Sequence, residues 1–207
     1  VRLPMLRQQV PGANGCCLSL ADYISPVQPA ASSDVRNLPP ENVLGLFAAS
    51  FCEADAAAEA EDEEKYGQML CQTLKDRLAE ATAEKLHEDV RRVYWAYAPD
   101  ERLSMADLFA AKYRGIRPAV GYPSLPDQSI IFLIDRLLPF SQIGVRLTEN
   151  GMMQPHASVA GLMFSHPAAE YFSVGQIDGS QLADYAARRG MAQEQLHKYF
   201  FRNISSL

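Results

Sequence analysis

Apolar residues along this chain change their spacing several times, and each change predicts an element. The run Asn42-Val-Leu-Gly-Leu-Phe-Ala-Ala-Ser, set off by Pro39-Pro40, has the length and apolar density of a buried strand. From Ala54 to Tyr97 the period becomes helical. Tyr66, Met69, Leu70, Thr73, Leu74, Leu78, Ala81, Leu86, Val90, Val93, Tyr94 and Tyr97 recur mostly at three- and four-residue steps, which predicts one apolar stripe on a long helix ended by Pro99. An acidic cluster at 59–64 sits near its start, where the helix dipole favours negative charge, and reads as a solvated face.

Ser104 and Asp107 have capping-box spacing and predict a helix running to about Tyr113. After a Gly- and Pro-rich loop at 115–126, Asp127 is placed to cap a helix carrying Ile130, Ile131, Leu133, Ile134, Leu137 and Leu138. Strand-like runs follow at 145–148, 158–164 and 171–177. A helix from about Ser180 to Arg189, stopped by Gly190, and a last one at 193–200 close the pattern. Residues 1–41 hold six prolines and little periodicity, so they are expected to be largely irregular, with one short helix near 18–24. Strands cluster between helices instead of alternating with them, which predicts a single α+β domain over 1–207 with an antiparallel sheet.

Composition narrows the classes. Hydrophobic residues make up 48% and charged residues 21%, the balance of a globular protein, and no apolar run approaches the ~20 residues of a membrane-spanning helix. A net charge of −6 argues against nucleic acid as a general partner. Cys16, Cys17, Cys52 and Cys71 form no zinc-like spacing and are expected to be reduced thiols in a cytoplasmic protein. The start, Val1-Arg-Leu-Pro-Met, has no secretory signal.

Catalytic signatures are sparse. There is no phosphate-binding Walker loop, no Gly-x-Ser-x-Gly elbow and no His-Glu-x-x-His pair. His87, His156, His166 and His197 lack partners at metal-ligand spacing, so no metal site is expected; His87 reads as a surface or core-edge residue. The densest chemistry lies in Arg114-Gly-Ile-Arg117-Pro-Ala-Val-Gly121-Tyr122-Pro-Ser-Leu-Pro126. A loop so rich in Gly and Pro is stiff and lets its backbone approach a ligand. Two readings of it stay open: Arg117 grips a ligand carboxylate with Tyr122 adding a flat face, or Arg117 ties the loop to a helix carboxylate and Tyr122 is a core lid.

Taken together, Leu6-Arg-Gln-Gln, Leu20-Ala-Asp-Tyr, Asp76-Arg-Leu-Ala-Glu-Ala, Val93-Tyr-Trp-Ala-Tyr-Ala-Pro, Gly115-Ile-Arg-Pro-Ala-Val-Gly-Tyr-Pro, Leu147-Thr-Glu, Ala157-Ser-Val-Ala-Gly, Phe164-Ser-His-Pro and Asp184-Tyr-Ala-Ala-Arg-Arg-Gly-Met resemble, in order, the activation domain of cobalamin-dependent methionine synthase. The resemblance implies a C-shaped α+β domain on a bent antiparallel sheet flanked by helices. It implies binding of S-adenosylmethionine for the reductive methylation of cobalamin, which a partner domain or protein carries, with an electron from flavodoxin or a flavoprotein reductase. It assigns the ligand to Glu80, Arg117, Ala119, Gly121, Tyr122, Tyr171 and Phe172, with Arg117 at its carboxylate, and it assigns no catalytic side chain. Glu80 alternatively belongs, with Glu84 one turn on, to a solvated helix face. Tyr171 and Phe172 point to opposite faces if that segment is extended, so only one is expected in the core.

The chain departs from the family pattern in places. Val120 stands where the family has a second proline, freeing φ and restoring a backbone donor, so a less rigid loop is expected. Ala111 replaces a family Glu, and Asp127-Gln-Ser-Ile-Ile and Met153-Gln-Pro-His differ as well. The chain starts several dozen residues into the family's domain, without an Asp segment that closes the site, and is expected to be a fragment or a free-standing relative, not a complete methionine synthase. A docking protein that kept the fold and lost the ligand is the alternative expectation; an independent methyltransferase is disfavoured because no acceptor-activating base accompanies the loop.

Overall fold

Two short antiparallel pairs organise the computed structural model, which describes residues 1–12, 15–25, 39–51 and 65–200. In chain order its main elements are β1 (Gly45–Ser50), α1 (Lys65–Asp89), α2 (Met105–Phe109), α3 (Ile130–Leu137), β2 (Arg146–Leu147), β3 (Met153–Gln154), β4 (Ser158–Met163), α4 (Gly179–Arg189) and α5 (Gln193–His197). β1 pairs with β4 from Gly45↔Met163 to Ser50↔Ser158, and β2 pairs with β3. Short 3-10 turns cover Leu20–Tyr23, Pro40–Asn42 and Phe140–Ile143. The α+β expectation holds, with the sheet divided into two small pairs.

β4 is buried on both faces, and alternation sorts its side chains between two cores. Val159 and Met163 join Phe47, Ala49 and Ala119 beneath α1, which meets them through Ala83. Ala160 and Leu162 turn the other way, to Ile130, Ile131 and Ile134 of α3 and to Phe140 and Val145. Each large side chain removed from water in this way contributes roughly 1.5–3 kcal/mol. A third cluster, Leu6, Val174, Ile177, Leu182, Tyr185, Ala186, Leu196 and Phe200, fastens the amino-terminal residues to α4 and α5.

Helix ends follow their sequence signals. Ser104 and Asp107 form the capping box of α2, Asp178 caps α4, and Gly190 ends α4 in the left-handed region at φ 66°. α2 stops at Phe109, short of Tyr113, and the chain turns at Ala111 with φ 50°. Asp127 does not cap α3 directly. Its buried carboxylate accepts from the Ser129 N–H and hydroxyl and from Tyr185, and it faces Arg189 at 3.3 Å, so it ties α3 to α4.

Three expectations need correction. The apolar stripe of α1 is not a buried stripe: Tyr66, Met69, Leu70 and Leu74 are all more than half exposed (Leu74 59%). A 25-residue helix is about 37 Å long, whereas a six-residue strand spans about 20 Å, so α1 outruns the sheet that covers it. Its buried face is instead Ala79, Ala83 and His87, continued by Arg91 in a π-helical turn at Val90–Tyr94. His87 is accordingly fully buried, not at a surface or core edge. Residues 171–177 form no strand. They are held by single bonds, Phe172 N–H to Ser124 Oγ (3.2 Å) and Val174 N–H to the Pro123 carbonyl (2.9 Å), rather than by a ladder. The acidic cluster at 59–64, Cys52 and the start of the predicted helix at 54–64 lie outside the described residues. No helix among the described residues is long and apolar enough to cross a membrane.

Candidate functional site

The Gly- and Pro-rich loop runs along β4 as an incomplete third strand. Ile116 and Phe164 exchange two backbone hydrogen bonds at 2.9 Å, Leu162 N–H donates to the Pro118 carbonyl at 3.0 Å, and Val120 N–H donates to the Ala160 carbonyl at 3.0 Å. This approach requires Gly161: a Cβ there would stand 2.2 Å from the Pro118 oxygen and 2.7 Å from the Ala119 Cα. The expectation that Val120 loosens the loop is also corrected. The backbone donor it supplies, which a proline lacks, ties the loop to β4.

Between this loop, α1 and the segment after β4 lies a cleft of about 480 Å³. Glu80, Arg117, Ala119, Tyr122, Tyr171 and Phe172 all line it, so six of the seven residues singled out from the sequence converge here. Gly121 does not line it. It turns the chain at φ 85°, a conformation L side chains rarely adopt, and its N–H donates to the Leu125 carbonyl at 2.9 Å, setting Tyr122 at the rim. Phe172 is half-buried against the Tyr23 ring, while Tyr171 stays exposed, which matches the expected division of that pair although no strand imposes it.

Polar contacts cross the cleft from wall to wall. The Tyr122 hydroxyl donates to Glu80 at 2.7 Å, and Arg117 Nη2 donates to Glu84 at 2.7 Å. The Tyr171 hydroxyl accepts the Arg117 N–H at 3.0 Å and lies 3.3 Å from the Tyr113 hydroxyl. Of the two readings of Arg117, the structure contains the tie from loop to helix carboxylate, and the same side chain, 13% exposed, borders the open cleft. Arg114 turns elsewhere, to the Ser165 and Tyr97 carbonyls. Tyr122 and Glu80 also border a second cleft of about 670 Å³ that reaches Asp76, His156 and Ser158, so their hydrogen bond is a partition between two hollows.

Burial and charge tune these groups. The bond to Glu80, and then burial, pushes the Tyr122 hydroxyl up to about 12. Burial works against the Arg117 cation, but the Glu84 hydrogen bond and charge outweigh it and its pKa rises. Burial, followed by the Arg91 and Arg117 charges, drives His87 down to about 2, so the imidazole beneath the site is neutral. The unfolded chain binds this proton below about pH 6.5 while the folded one does not. Stability is therefore complete above pH 6.5 and is lost as pH falls towards 2. Between pH 7 and pH 5 the loss due to His87 is expected to be about 2 kcal/mol. Urea unfolding at both pH values should show His87→Gln losing that much less than the wild type; equal losses would refute the assignment.

Sequence reasoning missed Tyr113, Ser124 and Ser173 of the lining, and the contact of Glu84. Glu84 had a local signal, its place one helical turn after Glu80. Tyr113 had none, because its partner Tyr171 lies 58 residues away.

The family model described as vitamin B12 dependent methionine synthase, activation domain, matches residues 1–190. A crystal structure described as the MetH reactivation domain bound to AdoHcy is similar to this chain, with 38% identity and a TM-score of 0.82. The match covers 98% of this chain and 61% of that one, so the chain spans about three-fifths of its relative's length.

Proposed function

The chain belongs to the activation-domain family of vitamin B12-dependent methionine synthase, and on that premise we propose that it binds S-adenosylmethionine and presents its methyl group to a cobalamin held by a partner domain or protein. The observation that carries this reading is the cleft joining Arg117, Glu80 and four aromatic rings. Its volume suits a ligand of this size. A guanidinium matches the ligand's carboxylate, Glu80 its ammonium, and the faces of Tyr122, Tyr171 and Phe172 its sulfonium and purine. The similar structure with AdoHcy bound, the demethylated form of the same ligand, supports the choice.

Cobalamin supplies the methyl-accepting metal centre, and flavodoxin or a flavoprotein reductase supplies the electron that readies it. This chain's residues bind and orient the donor, a gain of proximity rather than of acid–base chemistry. Tyr122 with a pKa near 12 remains a hydrogen-bond donor throughout the neutral range. We place this activity in the cytoplasm; Cys16, Cys17 and Cys71 carry no disulfide.

S-adenosylmethionine at a hundredfold its dissociation constant is expected to raise Tm by roughly 5–10 °C in a thermal-unfolding scan. The Arg117–Glu84 bond favours one second reading, a docking protein whose arginine is already satisfied. That reading predicts no shift at millimolar ligand together with undiminished capture of a cobalamin protein.

A further inference from the structure

Two carboxylates stand one turn apart on α1, and Arg117 engages only the one that does not face the cleft. Glu80 borders the cleft and accepts from Tyr122. Glu84 is not part of the lining, yet one of its oxygens takes a hydrogen bond from Arg117 Nη2 at 2.7 Å. The contact is deliberately sparing in geometry: one oxygen meets one nitrogen, and Glu84 Oε1 and Arg117 Nε are both buried with no hydrogen-bond partner. A guanidinium has five N–H donors, so this grip leaves most of the fork uncommitted. The loop backbone is fixed separately, through the Arg117 N–H on the Tyr171 hydroxyl. Glu84 therefore acts on the side chain alone.

We propose that Glu84 is a positioning residue for the ligand's carboxylate. It holds the Arg117 guanidinium from outside the cleft and provides the countercharge that lets a cation rest there, 13% exposed, before any ligand arrives. Holding the cation in advance spares the ligand the cost of ordering a long side chain. The inference rests on S-adenosylmethionine being the ligand and names a residue that never touches it.

Isothermal titration of the whole chain with two probes tests this, S-adenosylmethionine and 5′-methylthioadenosine, the second of which has no amino-acid end. Glu84→Ala is expected to weaken S-adenosylmethionine by about tenfold or more while leaving methylthioadenosine unchanged. Glu84→Gln, which keeps an acceptor oxygen, should restore part of the loss. In an Arg117→Ala background, Glu84→Ala should have no further effect. Equal weakening of both probes would mark a merely structural role, and unchanged or tighter binding of S-adenosylmethionine by Glu84→Ala would mark an idle or competing one; each overturns the proposal while sparing the ligand assignment. A wild type that binds neither probe overturns the ligand assignment, and the proposal with it.

Discussion

Arg117→Ala is expected to weaken S-adenosylmethionine by at least about thirtyfold and to erase the ligand-induced rise in Tm. Truncating one partner of a hydrogen-bonded charge pair costs about 2 kcal/mol or more, and the ligand's carboxylate would lose its cation; Glu84 loses its partner as well, which lowers stability with and without ligand. Arg117→Lys should recover only part of the affinity, since an ammonium keeps the charge and loses the planar fork. Titration calorimetry measures both, with circular dichroism confirming that each variant is folded. Affinity of Arg117→Ala within threefold of the wild type would show that the loop recognises something other than the carboxylate.

The largest loss of stability is expected from Glu101→Ala. Arg91 is completely buried, with 0% of its side chain exposed, and its charge is met by Glu101 through bonds of 2.7, 2.9 and 3.1 Å. Removing Glu101 strands that charge, at a cost of about 3–5 kcal/mol. The effect reaches the cleft, because the Arg91 guanidinium lies 4.5 Å above the ring of Tyr113, a lining residue. Replacing both partners together, Arg91→Met with Glu101→Leu, should cost far less than the single change, since no isolated charge remains. Urea unfolding of the three proteins decides the matter. A single variant within about 1 kcal/mol of the wild type would mean that water reaches Arg91.

The parts of this structure that were legible in the sequence are those fixed by neighbours in the chain. Ser104 with Asp107, Gly190, and the apolar runs that became β1 and β4 each state their conformation within a few residues. α1 was legible as a helix but not in its orientation. Its large apolar residues run past the sheet, while two alanines, a histidine and an arginine face inward, an arrangement fixed by strand length and by the Glu101 partner rather than by hydropathy. The same holds at the site. Arg117 and Tyr122 declare themselves through the composition of their loop and Glu84 is flagged by its place one turn after Glu80, whereas Tyr113, and the bond from Arg117 to Glu84, acquire meaning only once distant segments meet. Residues 171–177 have a strand's composition but form no strand, and Phe172 and Val174 are held by single bonds to Ser124 and Pro123.

The alanine seat of α1 has a consequence for how this protein tolerates change. Ala79 and Ala83 form the ridge pressed inward, and Glu80 and Glu84 follow on the adjoining ridge. Successive residues of a helix are separated by about 100°. Adding or deleting one amino acid between residues 80 and 83 would leave the composition nearly untouched, yet turn Ala79 and Glu80 by about 100° against Ala83 and Glu84, so that neither the inward ridge nor the pair of carboxylates stays in line. The spacing of this stretch is thus held more tightly than its lettering: point replacements on its outer side are cheap, while insertions and deletions are not.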